Sequence, residues 1–403
     1  MSHRFQNLQQ RLDALAATDS LRSLNCWPED WTDPTETTGA GLINFGSNDY
    51  LGLACQLLAE NSRHARGAAA SPLICGYTEP HQRLSRMLAA WEQTEAAVLL
   101  PSGYAACSGA LATLPQPNDL ILSDALNHAS LIDGCRLSAA TKMIYPHGQT
   151  AKVEEWLIRY RGEFDRVWIV TEGVFGMDGT LAPLAELCDL ADAHDAIVIV
   201  DEAHGTGVLG DDGSGACSHC GVKSRVPIRI GTLSKAIGTQ GGFVVGPQVV
   251  IDYMINFCRP LIFSTASPPN VIAAAIASVQ TLQQEPDRRA RVRSLSRRFR
   301  QRLGISEGSN QESEIPIIPI ILGSNEDTLR AAAQARAEGL FIPAIRPPTV
   351  PPGTSRLRIS LSSAHGEIEI ERLLRFLEQL PRLKIADEHR KQPDGERFYR
   401  QPF

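Results

Sequence analysis

The sequence predicts an α/β protein: a large domain on a mostly parallel, seven-stranded sheet, then a smaller C-terminal α/β domain. Three observations point there. Short apolar runs closed by turn residues alternate with helix-length stretches along residues 96–245, the order of a doubly wound sheet. The run Ala196-Ile197-Val198-Ile199-Val200 is unbroken and largely β-branched, and it ends on Asp201, as a parallel strand buried on both faces ends at a loop. Beyond residue 286 the alternation restarts on a smaller scale.

An amphipathic helix over 5–15 opens the chain and a Pro/Thr/Gly-rich connector follows, so residues 1–45 read as an N-terminal helix and arm. The large domain spans 46–285. Its strands are expected at 96–100, 119–123, 142–145, 167–171, 197–201, 228–230 and 242–245, with helices such as 79–91 and 181–194 between them. A long helix from residue 268 rolls into the basic stretch 287–302 and bridges to a small domain, 286–385. There the pattern is strand 315–322, helix 327–339, strand 357–362 and helix 367–380. The last residues, 386–403, are charged and read as a flexible tail.

At 403 residues and 43% apolar content the chain can bury a large core. Its net charge of −6 argues against a general nucleic-acid or membrane-surface binder. No run approaches the ~18 apolar residues of a membrane span and no secretory leader is visible, so a cytoplasmic protein is expected. The nine cysteines are scattered; Cys217 and Cys220 have the spacing of half a zinc site, but no second pair follows, and no structural metal is expected.

The chemistry begins with Lys235, in Gly231-Thr232-Leu233-Ser234-Lys235, and with Asp201-Glu202-Ala203-His204-Gly205-Thr206-Gly207. Ligands of open α/β sheets bind beyond the carboxyl ends of the strands. That places Asp201 and His204 at a site and leaves Lys235 free to meet them. A lysine facing an acid that can keep a ring nitrogen protonated is what pyridoxal phosphate requires. Three further positions fit, each with a plainer reading of its own. Ser102-Gly103-Tyr104 joins a strand to a small-residue helix, which makes a phosphate cup or simply a tight turn. His128 has a ring to stack on a pyridine, although a lone histidine is more often structural. Glu172 follows a strand at the site edge, where a solvated loop carboxylate is equally expected. Asp201 alone would suit a metal or a helix cap. The joint order of all five elements favours the cofactor.

At this point the chain resembles the α-oxoamine synthases, a branch of the fold-type-I pyridoxal phosphate enzymes. The resemblance runs from Asn44-Phe45-Gly46-Ser47-Asn48-Asp49-Tyr50-Leu51-Gly52-Leu53, through Thr171-Glu172-Gly173-Val174-Phe175, to Leu357-Arg358-Ile359-Ser360-Leu361-Ser362-Ser363-Ala364-His365. It implies that Lys235 is the imine lysine and base, Asp201 the partner of the ring nitrogen and His128 the stacking ring. It places His204 near the cofactor's 3′-oxygen and Glu172 near the reacting centre. Gly103, Tyr104 and Thr232 match phosphate contacts, and Ser264 and Thr265 would reach the phosphate of a partner subunit in a homodimer with shared sites. Asn48 and Arg358 match groups that hold an amino-acid carboxylate.

Members join an amino acid to an acyl thioester and release CO₂. The string Ile345-Arg346-Pro347-Pro348-Thr349-Val350-Pro351 resembles the branch of biotin biosynthesis that uses L-alanine and a pimeloyl thioester, on coenzyme A or a carrier protein. There Arg346, with Arg22, would face a far carboxylate of the acyl chain. Glycine or serine with another acyl-CoA remains the alternative within the family. An aminotransferase or β-elimination enzyme on the same cofactor remains outside it. Three departures stand out. Gly67-Ala68-Ala69-Ala70-Ser71-Pro72 carries methyl groups where the family has glycines, Gly176 lacks the family's hydroxyl, and Ser234 replaces a glycine before the lysine.

Overall fold

A computed structural model describes residues 5–27, 41–56, 65–305, 312–380 and 384–385. The tail expected at 386–403 and most of the N-terminal connector lie outside the described residues.

The central sheet has seven strands in the order Ala96–Leu100, Gly242–Gly246, Ile228–Thr232, Ile197–Asp201, Val167–Glu172, Leu120–Asp124 and Thr141–Tyr145. Gly242–Gly246 runs antiparallel to both neighbours and every other pairing is parallel. The sequence places all seven strands within one or two residues. Alternation within each strand explains the layering. Leu99, Leu122, Ile169, Val198 and Val200 enter one apolar cluster, while Val98, Leu100, Ile121, Val170, Ile199 and Ile230 enter the other. Both faces are therefore covered, which is why the strands read as unbroken apolar runs.

Helix starts follow local chemistry. Ser102 caps Gly103–Thr113 by accepting from the Ala105 amide at 3.0 Å, and Ser324 caps Asn325–Ala337 through the Asp327 amide. The long helix expected beyond residue 268 is broken: Pro269–Gln284 ends and Pro286–Arg302 begins, with Glu285 between them. The residue before a proline is pushed out of helical geometry, and Glu285 sits at ψ 63°.

The C-terminal part carries a second sheet, ordered Ala344–Ile345, Ser355–Ser360, Ile317–Gly323 and Lys384–Ile385. Ile43–Asn44, read as part of the arm, instead pairs in parallel with Leu340–Phe341. Among the described residues no helix is long and apolar enough to cross a membrane.

Candidate active site

The carboxyl ends of the parallel strands carry the polar groups. Glu172, Asp201 and Thr232 are each the last residue of a strand and all three are buried. Glu172 and Asp201 are direct partners across their two strands, so two carboxyls share one edge. Glu172 is thus no solvated loop residue. Burial, then the Asp201 charge, push its pKa up to about 8, against the pull of Lys235. Asp201 accepts from the Ala203 amide at 2.9 Å, and the Cys107 thiol lies 3.3 Å from its other oxygen. Burial raises the Cys107 thiol well above its ordinary value, which keeps it protonated and a donor.

Lys235 lies in the turn after the Thr232 strand. Burial lowers its pKa, while Asp201 and Glu172 act to raise it. Its amine is 2.9 Å from His204 Nε2, and His204 Nδ1 is 2.7 Å from the Tyr50 hydroxyl. Burial, then Lys235 and Arg358, hold His204 well below its usual range, so its ring is neutral. From Tyr50 the contacts continue to Asn48 Oδ1 at 3.1 Å, which also accepts from Arg358 Nη1 at 3.0 Å.

Arg358 reaches across from the smaller sheet. Its Nε donates to the Gly176 carbonyl at 2.6 Å and Nη1 also donates to Ser360 Oγ at 2.9 Å. Its Nη2 is buried with no partner, and its hydrogen-bond partners among the described residues are all neutral. A buried cation with a bare donor and no counter-ion is costly unless an anion completes it.

On the other side stands the start of the helix Gly103–Thr113. A Cβ on Gly103 would lie 3.0 Å from the Thr232 Cβ, so glycine is what lets the helix N-terminus approach that strand end. Thr232 Oγ1 contacts Ser234 Oγ at 2.7 Å. His128 caps the next helix, Ala129–Leu137, by accepting from the Ser130 amide through Nδ1. Its ring sits edge-on to Tyr104, whose hydroxyl bonds Asp133.

Helix amides for a phosphate, an acid fixed at a strand end, a buried amine beside it and an exposed ring across from it together fit pyridoxal phosphate. The sequence expectations thus converge in part. Lys235, Asp201, His204, Glu172, Asn48 and Arg358 form one network, with Gly103, Tyr104, His128 and Thr232 on the adjoining strand and helix ends. Ser264 and Thr265 instead line an apolar cavity of about 250 Å³ with Leu73, Tyr77, His81 and Leu261. Arg22 and Arg346 instead tie the N-terminal segment to the loop of Thr349: Arg22 donates to Thr349 Oγ1 at 2.8 Å and Arg346 to the Asp19 carbonyl.

Sequence reasoning missed Tyr50, Ser360 and Cys107. Tyr50 stands inside a quoted motif, two residues from Asn48, yet only the fold carries its hydroxyl to His204. One departure gained a physical reading: Ala69 adopts φ 59°, the left-handed region where glycine is normally placed.

Residues 40–377 match the family described as aminotransferase class I and II. The chain is 45% identical over 357 residues to 8-amino-7-oxononanoate synthase of Marinobacter nauticus, covering 85% of this chain and 89% of that one. Among solved structures it is similar to a serine palmitoyltransferase of S. paucimobilis carrying a PLP–myriocin aldimine (TM-score 0.84, 28% identity, 93% and 96% of the two chains). It is also similar to 8-amino-7-oxononanoate synthase from Francisella tularensis (TM-score 0.67, 28% identity, 83% and 96%).

Proposed function

The chain belongs to the aminotransferase class I and II family, as an acyltransferase-type member using pyridoxal phosphate, and on that premise we propose that it condenses L-alanine with a pimeloyl thioester, releasing CO₂ and yielding 8-amino-7-oxononanoate. The observation that carries the reading is Arg358: a buried guanidinium with no counter-ion among the described residues, wired through Asn48 and Tyr50 to the lysine's histidine. An amino-acid carboxylate is the anion that such a place lacks.

Pyridoxal phosphate, when bound, supplies an aldehyde for the lysine's amine and a ring that draws electron density away from the amino acid's Cα. The Gly103–Thr113 amide end and Thr232 hold its phosphate, Asp201 keeps the ring nitrogen protonated, and His128 covers one face. Arg358 Nη2 and Asn48 bind the alanine carboxylate. Lys235 removes the Cα proton, its lowered pKa bringing it nearer the working pH. Glu172, protonated at neutral pH, adds no second negative charge beside Asp201. At the acyl end Arg346 and Arg22 meet the far carboxylate of the pimeloyl chain. Two copies share the sites, Ser264 and Thr265 of each facing the other's phosphate. The exposed Leu73, Ile74 and Phe263 around their cavity support this pairing. A large domain over 46–285 and a small one over 286–385 complete the reading.

The test is a matrix of alanine, glycine and serine against pimeloyl-, acetyl- and palmitoyl-CoA, followed by thiol release. Alanine with pimeloyl-CoA is expected to be fastest. The superposition on serine palmitoyltransferase favours serine with a long acyl chain as the second reading, and preference for that pair would replace the first. Arg346→Ala is expected to raise KM for pimeloyl-CoA about tenfold and leave heptanoyl-CoA unchanged. An equal effect on both thioesters removes Arg346 from the acyl end.

A further inference from the structure

Gly176 follows the short strand Val174–Phe175, and all three faces of it are engaged. Its N–H donates to Glu172 Oε2 at 3.3 Å and its carbonyl accepts from Arg358 Nε at 2.6 Å. Against its Cα lies the imidazole of His204. A Cβ built here would meet Nε2 at 2.3 Å and the ring carbons at 2.8 and 2.9 Å, closer than any side chain tolerates. The backbone of Gly176 is not left-handed, so conformation does not demand glycine here, and the three nearest atoms a methyl group would meet all belong to this ring.

The hydrogen bonds around the ring have one self-consistent direction. Arg358 only donates, so Asn48 presents its oxygen to it. The single proton of the Tyr50 hydroxyl goes to that same oxygen, and the Tyr50 oxygen then accepts from His204 Nδ1–H. Nε2 is left as a lone pair, 2.9 Å from Lys235 Nζ, where it accepts from the amine. A guanidinium in the smaller sheet thus sets the tautomer of a histidine beside the lysine of the larger one.

We propose that Gly176 is a positioning residue: its missing side chain opens the place from which His204 Nε2 takes a hydrogen bond from Lys235 and aims the amine. The absent hydroxyl, at first sight a lost contact, is then the condition for a different one. The inference rests on Lys235 being the residue that bonds the cofactor. In that condensation the amine nitrogen adds to the aldehyde carbon, and the aldehyde oxygen leaves as water with both amine protons. The ammonium first yields its third proton to solvent, and the neutral ring at Nε2 holds the remaining amine by a hydrogen bond.

The experiment follows the rise of absorbance near ~420 nm after cofactor-free protein is mixed with pyridoxal phosphate. Gly176→Ala is expected to slow imine formation about tenfold, the worth of one hydrogen bond to a charged group. His204→Asn, which needs no extra room, is expected to slow it similarly. The double variant should match His204→Asn within about twofold, since the glycine acts only through the ring. A rate unchanged in either single variant overturns the proposal. So does a double variant slowed a further tenfold, because the glycine would then act through Arg358 or Glu172. Borohydride reduction and mass spectrometry of the unsubstituted protein separate the two readings: a label on any residue but Lys235 refutes the assignment of the lysine itself.

Discussion

Two arginines, equally buried, show what separates a structural charge from a functional one. Arg229 and Arg358 are each 3% exposed and each stands on an inner strand of its sheet. Arg229 is closed on every side. Its Nε meets Glu92 at 2.9 Å, Nη1 donates to the Lys223 and Val226 carbonyls, and Nη2 donates to the Glu92 carbonyl. Its charge is matched by a carboxylate that is itself buried. Arg358 has neutral partners only, and one nitrogen has none. The fold completes the first cation and leaves the second with an unpaired donor, which the proposed substrate carboxylate would complete. Burial alone therefore says nothing about role; the unmatched charge does.

The largest effect is expected at the closed arginine. Arg229→Met leaves the Glu92 carboxyl buried without its cation and should destabilise the protein by about 3–5 kcal/mol, read as the shift of a urea midpoint. KM for alanine should hardly move in the folded variant. The opposite split is expected for Arg358→Gln. KM for alanine should rise about 10- to 100-fold, because a charge-assisted contact is lost, while the melting temperature stays level or rises. If Arg358→Gln unfolds the protein and spares KM, the contrast fails.

A pH series sharpens the comparison at the acids. The folded pKa of Glu172 is raised to about 8 and that of Glu92 to about 7, both from 4.5, so the folded state holds more protons than the unfolded one between those values. Their stabilisation is complete below pH 4.5 and is lost as pH rises through each folded pKa. Glu172→Gln should flatten the fall of melting temperature up to about pH 8, and Glu92→Gln the part up to about pH 7. A steeper fall in either variant contradicts the assignment. The smallest effect belongs to the surface. Arg298 pairs with Glu367 in open solvent, and Arg298→Ala should leave melting temperature and KM where they are.

Much of the site was legible because its residues sit where strands end. Asp201 closes an unbroken apolar run, and Gly103 and Lys235 follow others, so their common edge follows from chain direction alone. The break at Glu285 was legible too, in Pro286, had the proline been weighed above the apolar period. Tyr50 was not legible. No periodicity distinguishes a buried tyrosine that packs from one whose hydroxyl directs a histidine 154 positions away. The loss at Gly176 was visible as a missing hydroxyl, but the ring that fills the space comes from another strand end.

From the order of apolar runs and turns, the chain itself determined the layered α/β architecture and which residues crown the parallel strands, since alternation and strand polarity act over short stretches. Tertiary structure alone decided which of two buried arginines keeps its charge open, which tautomer faces Lys235, and why position 176 carries no side chain. Those are properties of contacts between groups far apart in the chain, where tenths of an ångström and one unpaired proton fix the chemistry.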